Sequence, residues 1–171
     1  MQFVPEQETA PKPPFDFHIV LIEPEIPPNT GNAGRLCVAT QSTLHIVGKP
    51  AFNIDDKAVR RAGLDYWKYV KLMEHKDFDA FLNWRENHNK EMALFFLETY
   101  GKQNFYDTSI PKCAALIFGK ETTGVPLEIL QKYQRDVFNI PMFSEKIRSL
   151  NLSNTIALVL YESIRQNLPV P

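Results

Sequence analysis

Five apolar runs of five or six residues recur along the chain: FHIVLI (17–22), TLHIV (43–47), MALFFL (92–97), CAALIF (113–118) and DVFNI (136–140). Most carry apolar side chains at odd and even positions alike. A strand points successive side chains to opposite faces, so such a run needs cover on both sides. Helical patterns lie between the runs. They are Gly31–Gln41 behind a cap at Asn29 or Thr30, a short one at Asp56–Ala62, Asp77–Asn87 capped by Asp77, Pro126–Tyr133 with proline at its first position, and Ser153–Gln166. Strand and helix in alternation predict an α/β domain, with a largely parallel sheet and helices on both faces. YWKYVKL (66–72) is a further strand candidate, and no internal repeat is visible.

The last helix has more apolar surface than one core face requires. Leu152, Ile156, Val159, Leu160 and Ile164 form one stripe, which Ala157, Leu158 and Tyr161 widen. Either the helix is buried all round, or it divides its surface between the core and a subunit interface.

A chain of 171 residues supports one domain with a sizeable core. Its formal net charge of −1 announces no nucleic-acid binder, so any phosphate-binding patch must be local. The only cysteines, Cys37 and Cys113, are far apart and lack CxxC spacing. That argues against a zinc site or disulfide framework and fits a reducing cytoplasm. No apolar stretch reaches the length of a membrane span. MQFVPEQETAPKPP lacks the basic and apolar regions of a signal peptide and is rich in Pro and Glu. Residues 1–16 are therefore expected to form a flexible arm and 17–171 a single domain.

Three strand-to-helix connections hold most of the polar and conformationally special residues: EPEIPPNTGNAGR (23–35), FGKETTGVP (118–126) and IPMFSEKIRSLNLSN (140–154). In a parallel sheet such connections converge at the carboxyl ends of the strands, where ligands bind. Arg35, one turn into its helix, suits bidentate capture of a phosphate, or is simply a surface arginine. Gly119 lets a ligand approach the backbone, and Glu121 and Gly124 follow it; the same pattern also describes two turn glycines around a surface glutamate. Arg148, Ser149, Asn151, Ser153 and Asn154 exceed what capping one helix requires.

Other chemistries lack their signatures. There is no GxGxxG, no P-loop, no GxSxG elbow and no Cys–His pattern. His18 and His45 sit inside strand runs as core or edge residues. His75 and His88 flank a helix and are expected to be exposed, with no cluster among the four.

IEPEIPPNTGNAGRLCVAT, DDKAVRRAGLDYW, FGKETTGVP and IPMFSEKIRSLNLSNTIALVLYE together resemble the SPOUT methyltransferases, and most closely the tRNA (cytidine(34)-2'-O)-methyltransferase branch. The resemblance runs in order from about Phe17 to Gln166. It implies an α/β sheet whose C-terminal part is tied in a deep trefoil knot, and a homodimer with the site completed across the interface. It implies S-adenosylmethionine (AdoMet) held by the second and third connections, largely through backbone groups. By motif, the cofactor contacts would be Leu97, Thr99, Gly119, Glu121, Ile140, Ser149 and Leu150.

The resemblance also assigns the substrate side. Arg35 would hold the phosphate of the target nucleotide and help activate its ribose hydroxyl, with Asn32 and Asn151 orienting it. Asn29 and Asn154 would assist. Lys57, Arg60 and Arg61 would meet tRNA phosphates, or form a solvated helix face. Tyr66, Trp67 and Tyr69 would stack on a base, or pack beneath the helix. No metal is needed for the transfer and no membrane is involved. The implied reaction is cytoplasmic 2'-O-methylation of the wobble nucleotide, cytidine or a modified uridine, in the anticodon loop of tRNA, typically leucine tRNAs.

The sequence departs from the family's frequent residues at Lys120 (proline), Thr123 (arginine) and Leu150 (methionine). Three alternatives stand beside this reading. One is a SPOUT ribose methyltransferase for another tRNA site or for ribosomal RNA, one an RNA-binding protein that has lost catalysis, and one a small-molecule methyltransferase.

Overall fold

The computed structural model describes residues 11–53 and 66–168. Seven parallel strands form one sheet: β1 (Asp16–Ile22), β2 (Thr43–Val47), β3 (Lys71–His75), β4 (Ala93–Leu97), β5 (Gln103–Asn104), β6 (Cys113–Phe118) and β7 (Val137–Asn139). Their order is β3-β2-β1-β6-β4-β7-β5. Among the described residues the α-helices are α1 (Pro27–Thr40), α2 (Phe78–Asn89), α3 (Leu127–Lys132) and α4 (Leu152–Asn167).

The two-faced strands explain the layers. Phe17, Ile19 and Leu21 of β1 join Leu116 and Phe118 in one core with Ala33 and Cys37 of α1 and Ile156, Val159 and Leu160 of α4. Val20 and Ile22 point the other way, joining Ala115 and Ile117 with Phe78 and Phe81 of α2 and Leu130 of α3. Burial on both faces is what the continuous apolar runs require. Asp77 caps α2 as expected, accepting from the Ala80 N–H at 2.8 Å.

Several expected boundaries move. Helix α1 begins at Pro27, not Gly31, with Ile26 as its extended N-cap residue; Asn29 and Thr30 are buried inside the helix rather than capping it. Two prolines open a helix at little cost, because the first-turn N–H groups they lack have no intrahelical partner anyway. YWKYVKL is a strand only in its last two residues, Lys71 and Leu72. Trp67–Tyr69 forms a single 3-10 turn, and the strand follows at Lys71–His75. The aromatics there serve helix packing, since a Cβ on Gly34 of α1 would come within 2.5 Å of the Trp67 ring, and Tyr66 Oη donates to the Gly31 carbonyl at 2.6 Å. Strand β5 is two residues long at the sheet edge, too short to leave an apolar signature. The expected helix at Asp56–Ala62, with Lys57, Arg60 and Arg61, lies outside the described residues, as do residues 1–10 of the expected arm.

The histidines do cluster, and His75 is buried rather than exposed. In the parallel register His45 faces Val20, two residues beyond His18, and His75 faces Val47, two residues beyond His45. The three rings therefore share one face along a diagonal. His18 Nδ1 lies 2.9 Å from His45 Nε2, and His45 Nδ1 lies 2.8 Å from His75 Nε2. Burial holds the His45 pKa down at about 2, and lowers those of His18 and His75. Positions scattered through the sequence become neighbours because parallel strands advance in register.

Helix α4 is not buried all round. Ile156, Val159, Leu160 and Ile164 enter the core, whereas Leu158 and Tyr161 are 43% and 51% exposed.

Candidate active site

The three connections after β1, β6 and β7 meet at the carboxyl edge of the sheet, joined there by residues following β4. Together they border a cavity of about 690 Å³. Leu97 and Thr99 reach it from β4, Gly119 and Glu121 from β6, and Ile140, Ser149 and Leu150 from the last connection. Asn29 and Asn151 also border it. Asn32, Arg35 and Asn154 do not. They are exposed, the first two on α1 and the third one turn into α4. One edge thus gathers the seven residues expected at the cofactor, while the expected substrate residues divide between the cavity wall and the open surface beside it.

The second connection is a tight closed turn. Lys120 and Gly124 exchange backbone hydrogen bonds of 3.1 and 2.9 Å. Gly124 has φ +73°, a left-handed conformation that glycine adopts without strain. At Gly119 a Cβ would stand 1.9 Å from the Gly124 carbonyl carbon, so only glycine fits. Glu98, which the sequence reading passed over, accepts from the Val125 N–H at 2.5 Å and fastens this turn to the end of β4. Burial raises its pKa, and the N–H groups of Val125 and Thr99 oppose that shift. Its only sequence signal is a carboxylate directly after an apolar strand.

Glu121 ties the connections together. Its carboxylate accepts from the N–H of Glu25 (2.8 Å) and of Ile26 (3.2 Å), and from Asn29 Nδ2 (2.9 Å). A negative charge at the start of α1 also complements the helix dipole. Asn29 Oδ1 in turn accepts from Asn151 Nδ2 at 3.1 Å, and Asn151 Oδ1 caps α4 by accepting from the Ser153 N–H at 2.9 Å. In return, Glu25 Oε2 accepts from Thr122 N–H and Oγ1, and Lys120 pairs with Glu23. Asn29 is buried at 3% exposure between two partners. Asn29→Ala is expected to cost about 1–3 kcal/mol, because Glu121 and Asn151 each lose a part-buried hydrogen bond. A thermal melt is expected to fall by roughly 2–12 °C; an unchanged melt would show that the network is slack.

Arg35 stands with its guanidinium carbon 5.0 Å from the Tyr66 ring centre, a cation–π contact that orients it on the exposed face of α1. Tyr69 is 64% exposed, with Lys68 Nζ 4.9 Å from its ring centre. Of the three aromatics weighed for base stacking, Tyr66 and Trp67 pack on α1 and Tyr69 stays open.

The cavity fits a ligand of mixed polarity. Its walls combine apolar Leu97, Ile140 and Leu150 with the backbone of a glycine turn that admits close approach. No helix among the described residues is long and apolar enough to cross a membrane.

Residues 16–161 match the model of the SpoU rRNA methylase family. A tRNA (cytidine(34)-2'-O)-methyltransferase of Saccharophagus degradans is 44% identical over 154 residues, covering 88% of this chain and 95% of its own length. The protein of the same name from Burkholderia cenocepacia is 42% identical over 151 residues, covering 88% and 95%. Among solved structures, one concerned with the 2-OH methylation of C/U34 on tRNA superimposes with a TM-score of 0.82 at 35% identity, over 90% of this chain and 97% of the other. The SpoU methyltransferase AviRb of Streptomyces viridochromogenes, solved with AdoMet, shares the fold with a TM-score of 0.78 at 24% identity, over 89% and 58%.

Proposed function

Because the chain belongs to the SpoU rRNA methylase family, we propose that it is an AdoMet-dependent tRNA methyltransferase that methylates the ribose 2'-oxygen of the wobble nucleotide, cytidine or a modified uridine at position 34. The observation that carries the reading is the convergence of the β4, β6 and β7 connections on one cavity, in a chain more than 40% identical to enzymes of that name. Leucine tRNAs are the proposed substrates, met at the anticodon loop in the cytoplasm.

The cavity would hold AdoMet through the residues that line it, apolar Leu97, Ile140 and Leu150 and the Thr99, Gly119, Glu121 and Ser149 segments. AdoMet supplies a methyl group already activated on a cationic sulfur. The protein then has two tasks: to hold the ribose hydroxyl in line with that methyl, and to favour loss of its proton. Arg35, exposed beside the site, grips the phosphate of the target nucleotide and stabilises the charge that develops on the oxygen. Asn32 and Asn151 orient the sugar, the latter already anchored through Asn29 to Glu121. Asn154, together with Lys57, Arg60 and Arg61, extends the contact to the RNA backbone.

We further propose that the segment from Ile140 to Asn151 passes through the loop after β6 to form a trefoil knot, and that the enzyme is a homodimer. The crossed order β6-β4-β7-β5 supports the first. The exposed Leu158 and Tyr161 of α4 support the second. Tyr161→Glu is expected to shift the dimer toward monomer by sedimentation analysis and to lower activity with it. A fully active monomer would remove α4 from the interface.

The functional test is methyl transfer from labelled AdoMet to total tRNA lacking wobble 2'-O-methylation, with the labelled nucleotide mapped. Label on the ribose at position 34 is the expected result. Label elsewhere in tRNA, or only on ribosomal RNA, would transfer the reaction to another site, and AdoMet binding without transfer to any RNA would leave a binding protein.

A further inference from the structure

At the opposite edge of the sheet, where the strands begin, three ligand-type side chains meet, and a fourth, His88, lies beside Asp16. Asp16 and His18 lie in β1, Cys113 opens β6 opposite Asp16, and His88 is in the last turn of α2. The ligand atoms of Asp16, His18 and Cys113 all lie within 4.8 Å of one another. Asp16 Oδ1 is 3.2 Å from His18 Nε2, and Asp16 Oδ2 is 3.3 Å from His88 Nε2 and 4.0 Å from Cys113 Sγ. Zinc binds nitrogen and oxygen at about 2.0–2.2 Å and thiolate at about 2.3 Å, so adjacent ligands of a tetrahedron stand roughly 3.3–3.7 Å apart. The three Asp16 spacings, 3.2 to 4.0 Å through its two oxygens, lie around those edges, and His18 and Cys113 stand within 4.8 Å of each other.

A second observation points into the same place. His18 is 2% exposed, and its buried Nε2 makes no well-aligned hydrogen bond, facing Asp16 Oδ1 at 3.2 Å. Its other nitrogen is engaged with His45, and His45 with His75. If each Nδ1 carries the proton, the row runs donor to acceptor outward from His18 and leaves the Nε2 lone pair free for a cation. Metal-bound histidines are commonly fixed through the second ring nitrogen in this way. Asn89 Nδ2 donates to Cys113 Sγ at 3.3 Å.

We propose that Asp16, His18, His88 and Cys113 form a structural site for zinc or a similar divalent transition metal, tying the starts of β1 and β6 to the end of α2. Mixed imidazole, thiolate and carboxylate ligands suit zinc and disfavour magnesium or calcium. Four protein ligands close the coordination sphere, and the site lies across the sheet from the methyl-transfer cavity, so the metal takes no step in that reaction. No metal-ligand spacing shows in the sequence because the ligands come from three elements that only the fold brings together.

The test is calorimetric titration of zinc into the full chain after chelator treatment, paired with cobalt(II) spectroscopy. One zinc per chain is expected, with a thiolate-to-cobalt charge-transfer band. Cys113→Ser should abolish the band and weaken zinc binding by about tenfold or more. His88→Ala, at a surface position, should weaken zinc binding by about tenfold while leaving the metal-free melting temperature unchanged. No saturable binding by the unmodified chain, or unchanged zinc affinity in Cys113→Ser, would overturn the proposal.

Discussion

Arg35→Ala is expected to lower methyl transfer by about 100-fold or more while leaving AdoMet affinity nearly unchanged. The reason is positional. Arg35 is exposed on α1 and does not border the cavity, so its removal leaves the cavity wall intact. What the proposed role would lose is the grip on the substrate phosphate and the stabilisation of charge on the attacking oxygen. Arg35→Lys should recover little, because an ammonium keeps the charge but not the planar fork that meets a phosphate with two hydrogen bonds, nor the guanidinium's stacking on Tyr66. Labelled transfer to tRNA and calorimetric AdoMet binding measure the two quantities separately. A parallel loss of AdoMet affinity would move Arg35 from the substrate to the cofactor.

Gly119→Ala should act on the other half of the site. Its Cβ would lie 1.9 Å from the Gly124 carbonyl carbon and 2.0 Å from the Val125 nitrogen. Both are backbone atoms of the closed turn, so no side-chain rotation relieves the clash. The turn must open, breaking the paired Lys120–Gly124 bonds and the Val125–Glu98 contact. Opening should cost about 3 kcal/mol, lowering the melting temperature by roughly 6–12 °C, and should abolish measurable AdoMet binding. Retained cofactor affinity in a folded Gly119→Ala chain would show that the glycine turn does not cradle the cofactor.

Much of the candidate site was legible before the fold because its parts are local. The Gly119 and Gly124 pattern, the excess of polar residues before α4 and the strand ends at Leu97 and Phe118 follow from short stretches, and the convergence of their connections follows from a parallel sheet. What stayed illegible was the pairing across long sequence distances. Nothing local marks the Glu121 carboxylate as partner of the Glu25 and Ile26 N–H groups, or Asn29 as the bridge from Glu121 to Asn151. Glu98 reads as an ordinary residue after a strand until the β6 turn folds over it.

By itself the sequence determined the class of fold, the two-faced strands, the order of the longer elements and the three connections that border the cavity. Each of these depends on side-chain periodicity or on the dihedral preferences of Gly and Pro, which act over a few residues. Only the tertiary structure decided that Pro27 opens α1, that Trp67 packs against Gly34 instead of lying in a strand, and that Tyr161 remains exposed on α4. It also decided that His18, His45 and His75 form one buried row. The physical reason is that register and packing are set between segments. Which face of a strand or helix meets which neighbour is a property of the pair, and no single stretch of the chain contains it.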